Sequence, residues 1–117
     1  NTGTAATADG SYTKIGRLVS ITITLVNIDT TGMTAGGNFT TRDLPFTSLG
    51  GQTGRAEGSV RADLLTFSGS LTSTMEVSDS YIRLYETATG AADSILKVSA
   101  ITSGSSDIFI SICYQAV

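Results

Sequence analysis

An all-β domain, an antiparallel jelly-roll-like β-sandwich of about seven to eight strands, is the fold that this sequence predicts. Three observations lead there. Residues 19–25 alternate strictly, with Val19, Ile21, Ile23 and Leu25 on one side and Ser20, Thr22 and Thr24 on the other, the period of a strand that buries one face. Strand-like runs recur about every 10 to 15 residues, with turn signals between them. No sustained 3.6-residue apolar period and no internal repeat competes with this reading.

Taken in order, residues 1–9 are small and polar and read as a linker or neck, which leaves residues 10–117 as the single β-sandwich domain. Asp9-Gly10 is a turn signal, and the strand after it runs to about Ile28, where Asp29-Thr30-Thr31-Gly32 breaks it. A hairpin partner is expected to follow that break. Pro45, the one proline, cannot donate a ladder hydrogen bond, so Leu44-Pro45-Phe46 is expected at a sheet edge or a crossing between sheets. Residues 49–58 hold four glycines and read as a long surface loop, where partners dock. Strands are expected over 59–67 and over 71–77, the second placing Leu71, Met75 and Val77 on one face. In residues 81–85, Ile82 and Leu84 face the core while Tyr81, Arg83 and Tyr85 face outward. Residues 94–101 alternate poorly and read as a strand or an irregular turn. The last strand, from Asp107, puts Ile108, Ile110, Ile112 and Tyr114 on one face and turns Phe109 toward a neighbour or partner. Cys113 has the opposite parity and reads as a small hydrophobe packed at a sheet or subunit contact.

Composition narrows the function. The chain has 117 residues, 40% of them hydrophobic and only 15% charged, and a mean hydropathy of +0.18. A core of this size is thin, and a surface built from Ser, Thr, Gly and Asn in place of mixed charge points to association with identical copies. With seven basic against ten acidic residues and a net charge of −3, the chain lacks the clustered cations that phosphate backbones require, so no nucleic acid is expected as partner. No apolar run approaches the roughly 20 residues of a bilayer span, and no membrane insertion is expected.

No enzyme chemistry is expected. The chain has no histidine, which removes the usual general base and the commonest metal ligand, and its single cysteine builds neither a disulfide nor a zinc site. The carboxylates show neither the pairing of a glycosidase nor a calcium-loop spacing, and no Gly-rich run leads into a phosphate-binding helix, so no cofactor is expected. What remains is contact chemistry. The outward stripe Tyr81, Arg83, Tyr85 combines rigid aromatic area with a directional cation. As cross-strand pairs or a subunit interface, the same stripe is structural. The loops 50–58, with Gln52, Arg55 and Glu57, and 87–93 are further candidate contact regions.

Three pieces of the chain resemble a known family: residues 10–19, Gly-Ser-Tyr-Thr-Lys-Ile-Gly-Arg-Leu-Val; Leu44-Pro45-Phe46-Thr47-Ser48; and the closing Ile110-Ser111-Ile112-Cys113-Tyr114. In order and separation they resemble the β-rich modules of bacteriophage virion appendages, the exposed ends of tail fibres and head fibres. That family usually has Gly before Leu-Pro-Phe, where this chain has Asp43. The resemblance implies a non-enzymatic viral protein on the virion surface: a homotrimeric fibre tip or knob that sits among other virion proteins and mediates host attachment through a host glycan or surface protein. The alternative it leaves is a capsid decoration or head-fibre protein that covers or projects from the shell.

Overall fold

Strands β1 (Thr4–Ile15) and β2 (Leu18–Asp29) form a long antiparallel hairpin in the computed structural model, which describes residues 2–117. Gly16 and Arg17 make its two-residue turn. Gly16 has a φ of +58°, the left-handed conformation that the first central position of a II′-type turn requires and that glycine adopts without steric cost. The turn expected at Asp9-Gly10 is instead mid-strand, with Asp9 opposite Thr24 and Gly10 opposite Ile23. Residues 4–9, expected as a linker or neck, are the first half of β1. Their small side chains give no strand signal of their own, and the edge of β2 supplies the pairing.

The remaining strands are β3 (Thr40–Thr41), β4 (Ala56–Asp63), β5 (Ser70–Met75), β6 (Ile82–Thr87), β7 (Ser94–Ile95) and β8 (Ser106–Gln115). Together the strands form one 8-stranded antiparallel sheet in the order β1-β2-β8-β4-β5-β6-β3, with β7 paired to β6, curled into an open half-barrel. The second neighbour of β2 is thus β8, and not a hairpin partner directly following the break at 29–32 as expected. The local break at 29–32 is real, but a hairpin is decided by which edge is free, and β1 and β8 occupy both.

One strand turns the corner of the half-barrel. In β4, residues 56–58 pair with β5 and residues 59–63 pair with β8. Gly58 stands at the change-over, where a Cβ would lie 2.4 Å from the Ser111 carbonyl oxygen and 2.7 Å from the Ile112 Cβ. Only a residue without a side chain allows β8 to approach so closely.

Alternation sorts the core. Val19 and Ile21 of β2, Met75 of β5, Ile82 and Leu84 of β6, and Ile108, Ile110, Ile112 and Tyr114 of β8 all point inward and are buried, with Phe39, Leu96 and Val98 contributed by connecting segments. In β2 a bulge between Leu25 and Ile28 changes the parity from odd to even and keeps Ile28 inside, at 3% exposure. Asn27 carries the bulge at a φ of +53°, and its backbone N–H donates to Asp107 Oδ1 at 2.8 Å.

Several boundaries differ from the sequence reading. The loop over 49–58 ends early: a 3-10 turn, Gln52–Gly54, precedes β4, so Glu57 lies on a strand. That strand stops at Asp63, short of residue 67. Residues 94–101 contain both β7 and a 3-10 turn, Val98–Ala100. Leu44-Pro45-Phe46 follows the edge strand β3, and the chain then crosses to the other half of the sheet, where Ser48 bridges Ala116. Cys113 is exposed on the outer face of β8 and makes no packed sheet contact, because its parity turns it away from the core. Phe109, on that same face, is half-buried with the Arg61 guanidinium 5.1 Å from its ring centroid.

The two ends of the sheet, β1 and β3, do not pair with each other. Between them runs an open groove of about 800 Å³, with Ile23, Leu25, Met33 and Leu44 among its lining residues. Tyr12 and Phe46 meet edge to face at one end of it, their ring centroids 5.1 Å apart at 81°.

Candidate functional site: the outer face of β4, β5 and β6

The same alternation that buries Met75, Ile82 and Leu84 sends their neighbours outward. Pairing register sets Glu57 opposite Thr74, and Thr74 opposite Arg83, so a single row crosses three strands; Thr72 and Tyr85 form the next. Around these rows lies a shallow polar hollow of about 350 Å³, lined by Arg55, Glu57, Thr72, Thr74, Glu76, Tyr85, Thr87 and Asp93.

Its groups are held in place from within. Arg55 pairs with Glu76 Oε2 through Nη2 at 2.9 Å and through Nε at 3.0 Å, a two-pronged hold on one carboxylate. Thr74 donates its hydroxyl to Glu57 Oε2 at 2.7 Å. The Tyr85 hydroxyl reaches Glu76 Oε1 at a long 3.5 Å. Burial, and then the Glu76 charge, raise the Tyr85 pKa above its ordinary value, so its hydroxyl keeps its proton and can donate. Among the described residues, Asp93 has no side-chain partner, and it leaves an acceptor pair open at the edge of the hollow.

Arg83 is committed differently. Its Nη1 donates to Asp79 Oδ2 at 2.7 Å and its Nη2 to the Tyr81 hydroxyl at 2.7 Å, while the guanidinium carbon lies 4.6 Å from the Tyr81 ring centroid. Burial works against the charge of Arg83, but the hydrogen bond and charge of Asp79 outweigh it and hold the pKa above the ordinary arginine value. Arg42 approaches the Tyr81 ring as well, at 5.3 Å.

The sequence-derived candidates therefore divide. Tyr85, Arg55 and Glu57 come together in the hollow, although the sequence placed Tyr85 in the outward stripe and Arg55 with Glu57 in the 50–58 loop. Tyr81 and Arg83 adjoin it as a rigid, internally bonded pair. Gln52 lies in the exposed 3-10 turn and is not part of the hollow. Sequence reasoning did not place Glu76, Thr72 and Thr74 among the contact residues; their signal was the parity of 72, 74 and 76 against 81, 83 and 85, which becomes informative only once β5 and β6 are known to pair.

Chemically, the hollow offers one guanidinium, three carboxylates, hydroxyls and an aromatic face, the donors and acceptors of a binding surface. No three His, Cys, Asp or Glu side chains among the described residues are grouped so that they could hold one metal ion. No helix among them is long and apolar enough to cross a membrane. Comparison with known proteins finds no matching family model, no matching curated protein and no matching solved structure.

Proposed function

We propose that this chain is a non-enzymatic β-module of a bacteriophage virion appendage, a homotrimeric fibre tip that attaches to a host surface ligand through the outer face of β4, β5 and β6. In this reading the curled sheet is a jelly-roll-like sandwich, three copies hide the apolar surplus of a lightly charged chain, and the module is displayed on the virion surface. The observation that carries the attachment role is the hollow itself: Arg55, Glu57, Glu76 and Tyr85 are presented on one outward face, already oriented by their own bonds. Preordered side chains lose little freedom when a ligand arrives, and three copies turn weak single contacts into avidity. Glycan hydroxyls, which both donate and accept, suit such a lining.

Adsorption of virions to host cells, in competition with the isolated module, tests this. Wild-type module is expected to block adsorption, and Tyr85→Ala with Glu57→Gln to weaken that block by about tenfold or more. A module that never competes, while its removal leaves capsids fragile, supports the alternative of a capsid decoration or head-fibre protein and overturns the attachment role.

A further inference from the structure

From an apolar tip and an apolar groove left open on the same chain, we infer that the β1–β2 hairpin tip of one copy seats in the β1–β3 groove of the next. The inference rests on the self-association in the proposed function and assigns the surface that carries it.

The tip is the turn of the hairpin. Ile15 is 72% exposed and Leu18 51%, an apolar cross-strand pair that flanks the two-residue turn and lies largely in solvent. Beside them stand Lys14, whose Nζ donates to the Gly16 carbonyl at 2.5 Å and lies 5.4 Å from the Phe46 ring centroid, and Arg17, whose side chain has no partner among the described residues. Adjoining apolar side chains left in solvent at a projecting turn gain by being covered in a contact with another surface.

The groove has matching properties. Ile23, Leu25, Met33 and Leu44 are only partly buried against the core, so they present apolar surface to whatever enters. Asp9 and Asp43, both exposed, bring negative charge to the same groove; Arg42, its one cation, leans on the Tyr81 ring. A tip with Lys14 and Arg17 thus meets a groove whose two carboxylates outnumber its one arginine, and opposite net potentials favour the encounter and set its register. Backbone chemistry points the same way. β1 pairs only with β2 and ends the sheet, so its outer edge offers unsatisfied N–H and C=O groups to an extended segment.

A chain cannot fill its own groove in this way. The tip follows directly from Tyr12, which lines the groove, and a rigid two-residue turn cannot double back onto its own strand. Tip and groove are different patches, so the contact is heterologous and closes only as a ring, which for the proposed function holds three copies.

The test is mass in solution at micromolar concentration, by light scattering and sedimentation, with circular dichroism as the folding control. Wild type is expected as a closed trimer. Ile15→Asp with Leu18→Asp, both at exposed positions, is expected to keep the β spectrum and weaken association about 30-fold or more, as loss of a central contact does. Arg17→Glu alone and Asp9→Lys with Asp43→Lys alone are each expected to weaken the trimer, and the three changes combined in one chain to restore it. A misfolded variant does not produce that rescue. A trimer unchanged by the tip variants overturns this assignment and leaves self-association standing. A wild-type monomer overturns both, as does a monomer that pellets with anionic vesicles through Ile15 and Leu18.

Discussion

A single methyl group at residue 58 is expected to test the corner of the sheet. Gly58→Ala places a Cβ against the Ser111 carbonyl, Ser73 Oγ and Ile112, so β8 or β5 must shift. The expected loss is about 1–3 kcal/mol, read from the urea midpoint, as for other insertions into packed interiors. Tyr114 supplies a second test, by pH. It is buried, its hydroxyl donates to the Phe46 carbonyl at 2.8 Å, and desolvation raises its pKa above the ordinary 10.0. A raised pKa means that the folded state favours the protonated phenol. Its contribution is therefore complete below pH 10.0 and falls as pH rises through the higher folded value. Urea midpoints measured at pH 8 and pH 11 should drop on the alkaline side, and Tyr114→Phe should flatten that drop while costing about 1 kcal/mol at neutral pH for the lost hydrogen bond.

At the scale of elements, the β2 bulge and the turn after it each rest on one carboxylate. Asp107→Ala removes the acceptor for the Asn27 N–H and should cost about 1 kcal/mol, with faster amide exchange confined to residues 26–28. Asp29 accepts the Thr31 hydroxyl at 2.6 Å and the Thr31 N–H at 2.9 Å, and these bonds hold its pKa below the ordinary 3.8. A depressed carboxylate stabilises above its unfolded value and loses that effect as pH falls through the folded one. The Thr31 amide resonance should accordingly move on acidification below pH 3.8, with little change in global stability because the group is exposed. These elements also show what the sequence could tell. The inward sets of β2, β6 and β8 were legible because bulky apolar residues alternate there with polar ones. β1 was not, since strand edges are satisfied by backbone pairing, which leaves no mark on side-chain type. Nor was the hollow, because Arg55 and Glu76 meet only through the β4–β5 register.

For the whole molecule, strand order has a consequence for the time course of folding. β8, which follows the other seven strands in the sequence, lies between β2 and β4 and supplies Ile108, Ile110, Ile112 and Tyr114 to the interior. Pairings between residues far apart in the chain, such as Val19 with Tyr114, are closed late and slowly. A nascent chain emerging from the ribosome therefore exposes its oily strands until these last ones arrive. Deleting residues 106–117 should leave a soluble hairpin at best, with no cooperative melting transition by calorimetry. In the cell, such a polypeptide waits unfinished, and whatever shelters it during that wait sets how much of it survives to assemble.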